Sequence, residues 1–293
     1  MNALDLVRLS PLMERTGGNP KVIVGLVDGS IGRNHPDLTG ALIREVPGKV
    51  SGACTTPNSA ACLHGTFVAG ILFAKRGSAA PAICPDCTLL ACPIFAETPP
   101  ENAQMPSATP QDLAKAILAC IEAGAHILNL SLALAQSFAK EERALEEALD
   151  HAARLGVIIV AAAGNQGTLG STVITRHHWV LPVVACDAQG RPMRESNLGN
   201  SMGRRGLRAP GDGITSLGAE GKPITLGGTS VAAPFVTGAI ALIWSEFPTA
   251  TAAEVKAAVT QSVAERRNAV TPPLLNAWAA YGLMNTEARR YVS

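Results

Sequence analysis

The chain of 293 residues has few aromatics, 4%, and little charge of either sign, with 24 Lys and Arg against 23 Asp and Glu for a formal net charge of +1. It has no basic excess and no run of Lys and Arg interleaved with aromatics, so no nucleic-acid or anionic-membrane partner is expected. No stretch combines the length of a membrane span with freedom from charge. Met1 to Pro20 carries Asp5, Arg8, Glu14 and Arg15 and lacks a long apolar core. It does not read as a secretory signal, and a cytoplasmic location is expected. Metal patterns are missing as well. Cys84-Pro85-Asp86-Cys87 has CxxC spacing, but no second CxxC or paired histidine completes a zinc site. No acidic cluster follows a calcium-loop pattern. Neither a metal nor a cofactor is expected.

The seven cysteines leave at least one unpaired if the rest are bridged within the chain. A cytosolic setting favours thiols, and Cys84 and Cys87 read as structural thiols, with a disulfide or a metal as alternatives. Cys54 and Cys62 flank a short loop before His64 and are the pair best placed for a bridge.

Ala, Val, Ile and Leu dominate the 47% hydrophobic fraction, as in parallel sheets covered by helices. The length suits one large domain. Short apolar runs at Lys21 to Val27, Thr88 to Phe95, His126 to Leu132, Val157 to Ala163, Val180 to Cys186 and Gly206 to Pro210 read as strands. Helical patterns run from Asp112 to Ala123, Phe138 to Leu155, Val231 to Trp244 and Ala252 to Val263, with a last helix in Pro272 to Tyr281. Ile214 to Leu217 and Lys222 to Leu226 read as a hairpin. Strand–turn–helix alternation predicts a three-layer α/β fold with a mostly parallel sheet. The single domain divides into an N-terminal extension (1–20), a core (21–247) and C-terminal helices (248–293).

Four polar residues stand at junctions of this pattern. Asp28 lies at the C-terminal tip of the first strand, the edge where functional groups of open α/β sheets collect; alone, it is also an ordinary turn former before Gly29. His64 reads as the start of a helix of small residues, Gly65-Thr66-Phe67-Val68-Ala69-Gly70, with its imidazole projecting from the first turn. Asn165 follows a buried strand, where an amide N–H can face a reacting oxygen, although Asn before a glycine turn is also plain turn chemistry. Ser230 sits where Gly227-Gly228-Thr229 meets an apolar helix. An isolated serine there would be a helix cap, but the helix N-terminus also favours developing negative charge. Serine is a poor nucleophile at neutral pH and needs a nearby base, and the imidazole needs a carboxylate to fix its tautomer.

The stretches around Asp28, His64-Gly65-Thr66 and Gly228-Thr229-Ser230-x-Ala232-x-Pro234 resemble the signatures of subtilisin-like serine proteases, over roughly Lys21 to Phe247. The Asp, His, Ser order is the one subtilisin has. The resemblance implies a subtilisin-like three-layer fold, with Ser230 as nucleophile, His64 as general base and then acid, Asp28 orienting His64, and Asn165 donating to the oxyanion. It also implies that Ser131, Leu132, Ala133, Ala162, Ala163 and Gly164 line the first specificity pocket, roomy and apolar, with His177 and His178 in a loop at its outer side. Asp28-Gly29-Ser30 replaces the usual Asp-Ser/Thr-Gly. With Pro93-Ile94-Phe95 and Ala161-Ala162-Ala163-Gly164-Asn165, it looks similar to the proteases that trim precursors of cyanobactin-like ribosomal peptides. A peptide substrate is therefore expected. The short interval from Asp28 to His64 leaves little room for the helical element of macrocyclising relatives, so hydrolysis is expected rather than transamidation. A general intracellular protease and a catalytically silent peptide-binding homologue are the alternatives.

Overall fold

The computed structural model describes residues 2–46, 50–98, 108–132 and 139–290. Its main sheet contains β1 (Ile23–Asp28), β2 (Leu42–Glu45), β3 (Thr88–Pro93), β4 (Ile127–Leu130), β5 (Ile158–Ala162), β6 (Leu181–Cys186) and β7 (Leu207–Pro210). Every pairing is parallel, in the order β2-β3-β1-β4-β5-β6-β7. A separate antiparallel hairpin joins β8 (Ile214–Leu217) to β9 (Pro223–Leu226).

In chain order the helices are α1 (Ala3–Leu6), α2 (Ser10–Arg15), α3 (Ala60–Phe73), α4 (Pro110–Glu122), α5 (Ala139–Leu155), α6 (Val173–Arg176), α7 (Asn200–Arg205), α8 (Thr229–Glu246), α9 (Ala252–Gln261) and α10 (Ala277–Arg290). One core contains Phe67 and Ile71 of α3 with Phe235 and Ile240 of α8, and it takes Val24 and Leu26 from β1. A second contains Leu113 and Ile117 of α4 with Leu145 and Leu149 of α5, and it takes Val27 from β1. The strand's alternate side chains thus enter opposite cores, which is the physical content of three layers and the reason these strands read as continuous apolar runs.

The chain leaves β1 toward β2 and β3 on one side, then crosses to β4 and continues toward β7 on the other. Connections therefore diverge beside β1 and β4. Open α/β sheets bind their ligands in the crevice beyond such a divergence, at the carboxyl ends of the strands. Asp28 and Ser131 lie there.

Both ends of the chain join the main core. Val7, Leu9 and Leu12 are fully buried in it, together with Ala277 and Ala280 of α10, and the Ala277 N–H donates to the Val7 carbonyl at 3.0 Å. The segment ahead of Lys21 thus helps to build the core that supports the site. The last helix starts at Ala277, five residues later than its sequence pattern suggests; Pro272 and Pro273 precede it and carry the chain past β7, where the Arg208 N–H donates to the Pro273 carbonyl at 2.7 Å.

Candidate active site

Asp28 is fully buried at the end of β1. Its Oδ1 accepts the Gly29 N–H at 2.7 Å and stands 2.7 Å from His64 Nδ1. A carboxylate oxygen accepts, so the ring proton lies on Nδ1 and Nε2 keeps its lone pair. Burial opposes the imidazolium, but the charge of Asp28 and its hydrogen bond outweigh burial and hold His64 above its ordinary value.

The helix carrying His64 begins four residues before it, at Ala60, so the imidazole leaves the second turn and not the first. Ser59 sets that start, because its side chain accepts the Cys62 N–H at 3.2 Å and satisfies one of the free donors of the first turn. Gly65 lets α3 lie directly on the tip of β1. A Cβ there would stand 2.5 Å from the carbonyl oxygens of both Gly29 and Ser30. Cys54 and Cys62, the pair best placed for a bridge, form a disulfide where a cytosolic setting favoured thiols, tying the preceding loop to the first turn of α3. Glu97 holds the same loop from outside, accepting from Thr55 N at 3.0 Å and Thr55 Oγ1 at 2.7 Å.

Ser230 is the second residue of α8, where backbone N–H groups have no intrahelical acceptor. Gly228 caps the helix with φ +116°, and a Cβ on it would lie 2.9 Å from Asn165 Nδ2. Glycine is required on both counts. Asn165 Oδ1 accepts two hydrogen bonds, from Thr229 N and from Thr229 Oγ1, each at 2.9 Å. A backbone N–H only donates, so the amide oxygen must face Thr229 and the NH₂ group faces the other way. Thr229 Oγ1 also accepts the Gly164 N–H at 3.1 Å, joining the end of β5 to the start of α8. The clamp on Asn165 is a role that sequence reasoning missed, although Thr229 stands inside the quoted motif.

His64, Asn165 and Ser230 share the lining of one cavity of about 430 Å³. Ser131, Leu132, Ala162 and Gly164 line it as well. Ala163 does not. It is buried on the opposite side of the chain with Val184 and Met202, because alternate residues of an extended strand point to opposite faces. Ala133 lies outside the described residues. The cavity gains apolar wall from Phe95, from Leu63 beside His64, and from Ile224, Leu226 and Val231. Period-two alternation in β9 was the available signal for Ile224 and Leu226; Val231 was signalled only by its place next to Ser230.

His177 and His178 do not line this cavity. His177 Nε2 is 3.1 Å from Asp150 Oδ1 on α5, and its Nδ1 accepts the Trp179 N–H at 3.3 Å. Asp150, His177 and His178 bring three ligand-type atoms within 4.8 Å of one another. With Nδ1 accepting, however, the ring proton stays on Nε2 and goes to Asp150, where a metal would need a lone pair. Cys84 and Cys87 are free, buried thiols in a turn before β3, and burial together with its neighbour Cys87 pushes the Cys84 thiol well up.

The profile of the subtilase family matches residues 19–282. Subtilisin E of Bacillus subtilis (strain 168) is 31% identical over 246 residues, an alignment covering 82% of this chain and 59% of that protein. Among solved structures, a mutant of the protease domain of PatA superposes with a TM-score of 0.84 at 31% identity, covering 92% of this chain and 97% of that one. The prenylagaramide maturation protease PagA superposes with a TM-score of 0.80 at 30% identity, covering 94% and 98%.

Proposed function

The chain belongs to the subtilase family of serine peptidases, and we propose that it trims a ribosomally made precursor peptide in natural-product maturation. In this reading Ser230 Oγ attacks the scissile carbonyl as His64 Nε2 takes its proton. Asp28 holds the imidazole by Nδ1 and stabilises its charged form. Charge developing on the carbonyl oxygen meets the Asn165 NH₂ group and the free Ser230 N–H at the start of α8. His64 returns the proton to the leaving amine, and water then repeats the sequence on the acyl-enzyme.

The observation that carries the mechanism is the 2.7 Å bond between Asp28 and His64, at a cavity whose lining includes both His64 and Ser230. The substrate class rests on likeness to PatA and PagA, which are maturation proteases for patellamide and prenylagaramide. Hydrolysis is favoured over macrocyclisation because, among the described residues, the helical element between β1 and α3 is the short turn Pro36–Leu38. The identity to subtilisin E, as high as that to the PatA protease domain, supports general protein degradation as a second reading.

The two readings separate in one experiment. The purified protein is incubated at neutral pH with casein and, separately, with a short precursor peptide encoded beside its gene, and products are identified by mass spectrometry. Cleavage of the precursor at one bond with casein intact is expected. Broad casein digestion would replace the maturation reading with the degradative one.

A further inference from the structure

A polar side chain stands in the middle of the sheet, where its neighbours are apolar. Asn129, the third residue of β4, lies between Leu26 of β1 and Val160 of β5 and is fully buried. An amide in such a place is costly unless its groups are paired. Here both ends are. Thr237 of α8 donates its hydroxyl to Asn129 Oδ1 at 2.7 Å. Asn129 Nδ2 donates to Ser131 Oγ at 2.7 Å, and Ser131 Oγ donates to the carbonyl oxygen of Ser230 at 2.8 Å. The direction of the chain is forced. A carbonyl only accepts, so the Ser131 proton goes to Ser230 and its lone pair takes the amide N–H, which leaves the amide oxygen for Thr237.

The last link answers a gap in the helix. The carbonyl of residue 230 would ordinarily accept the N–H of residue 234. That residue is Pro234, inside α8, and proline has no N–H. The Ser230 carbonyl therefore lacks its ordinary intrahelical donor, and Ser131 supplies one from the end of the neighbouring strand.

We propose that Thr237, Asn129 and Ser131 are positioning residues that clamp the Ser230 peptide to the tip of β4. The clamp fixes the Ser230 side chain and its N–H relative to the strand end that lines the cavity. Thr237 and Asn129 do not line the cavity themselves, so they act through Ser131. The proposal rests on the reading of Ser230 as nucleophile.

Diisopropyl fluorophosphate tests it without the natural peptide, because the reagent reports the reactivity of the serine directly; labelling is followed by intact-protein mass. Thr237→Val and Ser131→Ala should each slow labelling about tenfold, the equivalent of about 1.4 kcal/mol in the barrier. Thr237→Ser and Ser131→Thr keep the hydroxyl and should restore the rate to within about twofold. The double variant should be no slower than Ser131→Ala, since a chain already cut loses nothing from a second cut. Wild-type rates in Thr237→Val, or single losses that multiply in the double variant, would overturn the clamp. If Thr237→Val does not fold by circular dichroism, the Ser131→Ala and Ser131→Thr pair decides alone, and equal rates in the two overturn it. A labelled wild type with unaffected variants removes the clamp only, whereas a wild type that takes no label removes it together with the reading it rests on.

Discussion

Replacing Thr229 by Val tests how Asn165, the proposed oxyanion donor, is held. The two side chains are nearly the same shape, and Thr229 is buried, so packing is kept. Two hydrogen bonds are lost, from Thr229 Oγ1 to Asn165 Oδ1 at 2.9 Å and from Gly164 N to Thr229 Oγ1 at 3.1 Å. Asn165 keeps the second anchor, the Thr229 backbone N–H at 2.9 Å. The donor is loosened rather than removed. A hydrogen bond in a protein contributes about 1 kcal/mol net, so losing one of two anchors should lower kcat by about five- to tenfold. Asn165→Ala deletes the donor altogether and should lower kcat by about 100- to 1000-fold, a scale taken from subtilisin itself rather than derived from this chain. The Gly164 N–H also loses its acceptor, and a stability loss of about 1 kcal/mol corresponds to a fall in Tm of about 1.5–2 °C in a domain of this size. The assay is steady-state hydrolysis of a peptide p-nitroanilide at neutral pH, with kcat and KM resolved, and Thr229→Ser as the control that keeps both bonds. An unchanged kcat in Thr229→Val, a loss confined to KM, or a loss as large as that of Asn165→Ala would refute the reasoning.

Further expectations concern His64 and the disulfide. Only the neutral imidazole accepts the serine proton, and Asp28 holds His64 above its ordinary value, so kcat/KM should fall on acidification with a midpoint above about 6.5. Asp28→Ala leaves burial unopposed and should move any residual acid limb downward; a midpoint that does not move contradicts the assignment of Asp28. The same shift bears on folding with the opposite sense: the stabilisation from the Asp28–His64 pair is complete below the unfolded-state value of His64 and is lost as pH rises through the folded one. The Cys54–Cys62 bridge spans a sequence separation of 8, for which chain entropy assigns about 2.5 kcal/mol. Cys54→Ser with Cys62→Ser should therefore lower Tm by about 4–5 °C in calorimetry, and an unchanged Tm would show that the loop is held by Glu97 and its other contacts instead.

Much of the site was legible because its residues sit at junctions between unlike patterns. Asp28 ends an apolar run, Ser230 begins one, and Asn165 follows another. Several local features were harder to read. His64 reads as the head of its helix because the apolar series after it masks Ser59, whose capping hydroxyl starts the helix earlier. The resemblance alone puts Ala163 beside Ala162 in the pocket, whereas strand alternation puts them on opposite sides. The edge strand β2 escaped notice because Leu42, Arg44 and Glu45 are exposed, and an edge strand with a solvated face lacks the continuous apolar run of its buried neighbours. Long-range pairings left no local trace. Thr237 lies 108 residues from Asn129, and neither position is distinctive until the sheet and α8 are packed together. The bridge between Cys54 and Cys62 was read from a short spacing, yet it stands against the thiols expected of a reducing compartment.

The proposed peptide cleavage depends on Ser230. Mass spectrometry of products from a diverse peptide mixture at neutral pH, comparing the wild type with Ser230→Ala, tests it most directly. Cleavage at a defined motif by the wild type and none by the variant, with the variant still folded, is the expected result. Cleavage at the same bonds by Ser230→Ala would contradict it.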